Sequence, residues 1–180
     1  MFPRFVVSLL LLGFVAGSVN ALSLAEEFAE IPQELIQILP VEIVGFFSGL
    51  TAEDHAVVDK LDAEEHTTVH GYLAALNTQS EPLYTKTMEM VYRLRSKINA
   101  LNEEARAFVL RTSEAIADLM PKRRAPLDVT KAKELARLTI HRYEVLSDAA
   151  KEDLQLQFPV FSSNANKSVS KLRAGRHIDA

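Results

Sequence analysis

Residues 81–101, EPLYTKTMEMVYRLRSKINAL, place Leu83, Thr87, Met90 and Val91, Leu94, Ile98 and Leu101 at intervals of three and four. That period matches one face of an α-helix and no strand. Pro82 falls in the first turn, where a missing N–H costs least. Five turns of one apolar face need cover from several other elements. The flanking sequence supplies only more segments of the same period.

Working outward, Asn102 caps a following helix whose stripe is Phe108, Val109, Thr112, Ile116 and Leu119. Met120-Pro-Lys-Arg-Arg-Ala-Pro126 reads as a loop. A further helix uses Leu135, Leu138, Thr139, Tyr143 and Leu146, and Ser147 caps a last one running through Leu154 to Phe158. On the N-terminal side, Pro32 and Pro40 open two short helices, the second closed near Gly49. Thr51-Ala-Glu-Asp54 is an Asp variant of the capping box, heading a helix through Val57, Val58 and Leu61. Asp62-Ala-Glu-Glu65 interrupts that pattern before Val69, Tyr72, Leu73 and Leu76 resume it, which predicts a kink or break around 62–67. With no strand-like alternation and no hairpin turn, the fold class is all-α: a single compact domain of short and medium irregular helices.

Residues 1–21 read as an export signal. Arg4 supplies the positive region, Val6 to Val15 an apolar run too short to span a bilayer, and Val19 and Ala21 the small residues of a cleavage site. The mature domain is expected over 22–159 and a flexible polar and basic tail over 160–180. A secreted, extracellular chain usually meets an oxidising compartment, yet this one has no cysteine. It must hold itself together by burying apolar surface alone, and 48% of its residues are apolar. The disulfide-stapled helical lipid binders are thereby excluded.

The net charge of −4 hides an asymmetry. Leu22 to Pro82 hold twelve acidic residues against Lys60 alone, whereas Leu83 onward holds eighteen bases against twelve acids. Either the halves attract each other within one fold, or the basic half faces an anionic partner such as membrane head groups or a carboxylate. Nucleic acid does not fit, because the bases alternate with acids in an exported chain.

Chemistry-bearing motifs are sparse. His66 and His70, four apart beside Glu65, are two exposed helix histidines or two metal ligands without an identifiable third; no metal is assigned. Ser113 and His141 sit inside helices with no oxyanion-hole signature, and no catalytic residue and no cofactor is assigned. Asn166-Lys-Ser168 fits an N-glycosylation acceptor. Thr51 is a helix cap and also fits an acidic-directed kinase site. Lys122-Arg-Arg124 is a solvated loop, a protease site or an anion contact, and the bases Lys167, Lys171, Arg173 and Arg176 are solvated charges or contacts to an anionic surface. The apolar stripes are plain core unless the short, broken helices at 31–49 and 62–76 leave an internal void.

Three stretches resemble the nematode fatty-acid- and retinol-binding proteins, a secreted helical family. They are Ile38 to Asp54 (ILPVEIVGFFSGLTAED), Leu83-Tyr84 through Lys97-Ile-Asn-Ala-Leu101 to Glu104-Ala-Arg-Ala-Phe-Val109, and Tyr143-Glu-Val-Leu-Ser147 through Ala150-Lys-Glu-Asp-Leu154 to Phe158-Pro159. The similarity covers roughly 31–160. The stretch at 62–70 differs from the family pattern, and the C-terminal tail extends past its usual end.

The resemblance implies an apolar cavity for long-chain fatty acids and retinol, secretion, a role in lipid acquisition and transport, and in parasitic species modulation of host lipid signals. Such a carrier needs no catalytic group. The expected lining is drawn from Phe46, Phe47, Val57, Leu61, Met88, Val91, Leu94, Phe108, Val109, Ile116 and Leu138. Arg93, Lys97 and Arg142 are the candidate partners for a ligand carboxylate. Transient contact with anionic membranes would let a buried lipid pass between helices, and nothing demands more than a monomer. The competing reading is a secreted helical interaction module with a solid core and no lipid ligand.

Overall fold

The computed structural model describes residues 32–64, 68–119 and 128–176. The export signal at 1–21, the loop at 120–126 and His66 lie outside them. Among the described residues there are nine helices and no strand: α1 (Gln33–Ile36), α2 (Val41–Ser48), α3 (Ala52–Ala63), α4 (Val69–Gln79), α5 (Glu81–Ala100), α6 (Glu103–Leu119), α7 (Val129–Glu144), α8 (Asp148–Gln157) and α9 (Pro159–Arg176). None is long and apolar enough to cross a membrane.

Short polar side chains start most of these helices by satisfying free backbone N–H groups. Ser80 Oγ accepts from Leu83 N at 3.3 Å, Asn102 Oδ1 from Ala105 N at 2.9 Å, Asp128 Oδ1 from Lys131 N at 3.1 Å and Ser147 Oγ from Ala150 N at 3.2 Å. Thr68 does the same for Gly71 at the start of α4, on the far side of the interruption that follows Ala63. Gly49 ends α2, where an added Cβ would stand 3.1 Å from the Gly45 carbonyl oxygen. Arg106 reaches back across the α5–α6 junction and donates to the carbonyls of Ile98, Asn99 and Leu101. A cation there also suits the negative end of the α5 dipole.

Helix α5 is the hub. Leu83, Thr87, Met90, Val91, Leu94 and Ile98 form its buried face, packed against α2, α4, α6 and α8. The same core continues around α7, which packs on α1, α6 and α9. Among the described residues, two ion pairs join the acidic first half to the basic second half: Lys86 with Asp54 at 2.9 Å, and Lys97 with Glu42. Attraction between the halves inside one fold leads to such pairs.

Two expectations need correction. Residues 160–176 are not a free tail but helix α9, which buries Phe161, Ser162, Ala165 and Val169. Spacings of four and a small second residue make that face, and the surrounding Ser, Asn and Lys residues disguise it. On α7, Leu138 is 43% exposed, and the buried face runs through Ala132, Ala136, Thr139, Ile140 and Tyr143. Small alanines let α1, α6 and α9 approach, so the large leucine is left outside.

The Thr51 cap is a full reciprocal box. Asp54 N donates to Thr51 Oγ1 at 3.1 Å and Thr51 N donates to Asp54 Oδ2 at 3.0 Å. Burial alone would raise the Asp54 pKa, but the Thr51 hydrogen bonds and the Lys86 ammonium together hold it below the ordinary value. Its charged form therefore stabilises the fold at neutral pH, and that contribution is lost as pH falls from about 3.9 through the lower folded value. Thr51→Ala is expected to cost about 1 kcal/mol in urea unfolding at pH 7. The gap between wild type and Asp54→Asn should narrow as pH drops below about 3.9. Phe161→Ala should cost about 3–5 kcal/mol in the same assay, whereas a free tail would leave the midpoint unmoved.

Candidate ligand-binding site

A cavity opens among the described residues where the α1–α2 connection, α5, α6 and the α8–α9 junction converge. Ile38 and Pro40 come from the connection, Leu94 and Ile98 from α5, and Phe108, Val109, Thr112, Ser113 and Ile116 from α6; Phe158 and Phe161 complete the wall. Helix α6 contributes most because Phe108, Thr112 and Ile116 recur every four residues on one face. The volume is about 40 Å³, on a scale where one water needs roughly 10–15 Å³. As it stands, the space holds a few waters and not a long chain.

Two polar side chains lie in this wall. Ser113 donates its hydroxyl to the Val109 carbonyl at 2.7 Å, so it is engaged within its own helix. Thr112 Oγ1 is buried without a hydrogen-bond partner. The wall residues Phe108 and Phe161 form an aromatic triangle with Tyr143, which does not line the cavity, with centroids 5.6–6.3 Å apart. Tyr143 donates to Asn166 Oδ1 at 3.2 Å, and burial pushes its phenol pKa up, so it stays a neutral donor.

Of the expected lining residues, Leu94, Phe108, Val109 and Ile116 meet at this cavity. Phe47, Leu61 and Val91 are buried elsewhere in the core, Phe46 and Val57 are packed against it half-buried, and Met88 is half-buried on α5. Leu138 is on the outer face. Sequence reasoning left out Ile38, Pro40, Ile98, Phe158 and Phe161. Ile98 was already visible in the α5 stripe, while Phe161 was hidden by its assignment to a tail.

The three candidate bases separate clearly. Arg93 is exposed beside Glu89 at 3.6 Å, and Arg142 is exposed on α7. Lys97 lies between the cavity residues Leu94 and Ile98 in the sequence of α5, and its Nζ sits 5.5 Å from the Phe158 ring centroid. It pairs with Glu42, which stands two residues after Pro40, in the first turn of α2. Side-chain exposures of 31% for Lys97 and 13% for Glu42 leave the pair partly buried; neither residue lines the cavity, and Lys97 reaches its wall through the Phe158 ring. Glu42 Oε1 takes the bond, while its Oε2 is buried without a hydrogen-bond partner.

Other candidates show no comparable convergence. His70 is exposed, and no group of three or more potential metal ligands occurs among the described residues. His141 is exposed beside Glu144 at 3.7 Å. Asn166 lies on α9 with its side-chain oxygen bonded to Tyr143, and Thr51 is exposed with its oxygen serving as a cap.

Residues 33–174 match the model of the family described as nematode fatty acid retinoid binding protein (Gp-FAR-1). The chain is 32% identical over 152 residues to fatty-acid and retinol-binding protein 1 of Acanthocheilonema viteae and to that of Onchocerca volvulus, covering 83% of each chain. It is 31% identical over 156 residues to the Loa loa protein of the same name, covering 85% of both. No solved structure is a significant match.

The Lys97–Glu42 pair generates a stability prediction. Lys97→Met should cost about 1–3 kcal/mol in chemical unfolding, because it strips a mostly buried carboxylate of its partner. Adding Glu42→Gln in that background should recover most of the loss. Additive losses would mean that the two side chains do not interact.

Proposed function

The chain belongs to the nematode fatty acid retinoid binding family, and from that membership we propose that it is a secreted carrier of long-chain fatty acids and retinol. Membership implies fatty-acid and retinol binding. Secretion rests on the signal read at 1–21, and the choice of site is supported by one observation: an apolar cavity between α5 and α6 has a partly exposed base, Lys97, over the ring of its wall residue Phe158. The acyl or polyene chain lies among Leu94, Ile98, Phe108, Ile116, Phe158 and Phe161, and a fatty-acid carboxylate meets Lys97 at the rim.

The small volume dictates how uptake works. Helices and aromatic side chains around the cavity separate as the chain enters, so binding opposes part of the packing of the free protein. The energetics permit it. Burying about sixteen methylenes gains roughly 13 kcal/mol, while micromolar affinity needs about 8. About 5 kcal/mol is then left to offset wall displacement and chain ordering. Encounter with an anionic membrane, oriented by the basic second half, would supply lipid through the same opening. Lipid acquisition follows from such a cycle, and sequestration of host lipid signals would follow where host lipids are within reach.

The tight interior also suits the second reading, a helical interaction module with a solid core. Displacement of a fluorescent fatty acid separates the two. The carrier should bind with micromolar affinity or better, and Val109→Phe, which adds bulk to the wall, should weaken binding at least tenfold while helix content is retained. Absence of any uptake at micromolar protein would leave the interaction module standing.

A further inference from the structure

We propose that Glu42 is a built-in competitor for the ligand head group and sets how strongly the pocket prefers acids over alcohols; this rests on the carrier reading above. The cation beside the cavity wall, over the Phe158 ring, is not free. Lys97 is already paired with a carboxylate from α2, and the pair spans the two elements that bring Pro40, Leu94 and Ile98 to the wall. A fatty-acid carboxylate arriving at Lys97 must take the place of Glu42 Oε1. An alcohol such as retinol carries no charge and leaves the pair intact.

Two features make Glu42 displaceable. Its Oε2 is buried and accepts no hydrogen bond, so the carboxylate is only half satisfied where it stands, and a buried acceptor without a donor is costly. It also lies in the first turn of α2, where the helix dipole favours a carboxylate and offsets part of the cost of its leaving Lys97. The exchange swaps one carboxylate for another on the same ammonium. Lys97 remains over the Phe158 ring throughout, which retains its cation–π contact.

The rim therefore discriminates by charge through two opposed residues. Lys97 draws anions in, and Glu42 holds that draw in check by occupying the ammonium and by repelling a second negative charge. A neutral pair of this kind suits a pocket that accepts both lipid acids and lipid alcohols, whereas a bare lysine would strongly favour acids.

The test uses the full secreted chain with palmitate and hexadecanol, ligands of equal chain length and different head group, each displacing a neutral fluorescent lipid. The readout is the ratio of their affinities. Glu42→Gln should raise the acid-over-alcohol ratio about tenfold, and Glu42→Ala should move it in the same direction. Lys97→Met should lower it by a similar factor. If Glu42 instead serves to position Lys97 for the ligand, Glu42→Gln will lower the ratio, and that sign, or no change, overturns the proposal. Hexadecanol binding by each variant reports that its pocket has folded. Should wild type bind neither lipid, the carrier reading fails and this inference falls with it; binding of both with an unmoved ratio overturns the inference alone.

Discussion

The buried face of α5 has to be covered on four sides at once, and no covalent cross-link helps to hold the cover in place. Leu83, Val91 and Leu94 are almost wholly enclosed, each worth roughly 1.5–3 kcal/mol when removed from water. The helices that enclose them are mostly short, and isolated helices of eight to twelve residues are marginal in water. Neither partner is therefore independent: α2, α4 and α8 depend on α5 for their stability, and α5 depends on them to hide its face. Polar links at the junctions, such as Asn102 N to Asp153 Oδ2 at 2.7 Å and Lys151 to the Glu144 carbonyl at 2.9 Å, fix where each short helix ends against its neighbours.

The same dependence explains why the cavity sits where it does. Three kinds of element converge there: the long α5 and α6, a connection punctuated by Pro40, and the α8–α9 junction with Pro159. Two long helices can interdigitate along their ridges. A proline-punctuated connection and a helix junction cannot continue that pattern, so large flat side chains, Phe158 and Phe161, fill the remaining angle. The cavity is then a consequence of helix length and punctuation and not of any residue placed to line a pocket.

That origin also separates what was legible in the sequence from what was not. The existence of each helix through α8 could be read, because capping residues and period-three-and-four stripes are local signals, as at Thr51, Asn102 and Ser147. Helix α9 could not, since its buried face is a phenylalanine, a serine, an alanine and a valine in a polar stretch, and only contact with α7 and α8 gives those residues something to bury against. Leu138 failed for the complementary reason: size suggested a core position, but close helix approach selected Ala132 and Ala136 instead. The site was partly legible. Leu94, Phe108, Val109 and Ile116 follow from the stripes of α5 and α6, while Phe158, Phe161 and the union of Lys97 with Glu42 depend on which helix ends meet across more than fifty residues of chain, which no periodicity encodes.

On the proposed carrier reading, tight packing and lipid carriage place opposite demands on the same wall. A large permanent void would carry a stability cost of roughly 24 cal/mol per Å³, about 7 kcal/mol for a 300 Å³ space, which is comparable to the whole stability of many domains. A cystine-free chain of short helices is poorly placed to bear that cost when unloaded. A cavity that is nearly closed without lipid avoids it, and shifts the expense to the moment of binding, when burial of the lipid tail is available to offset it. On this reasoning, the looseness a carrier needs belongs in its helix junctions, where short elements can part without unfolding, and α5 is left intact as the surface against which they close.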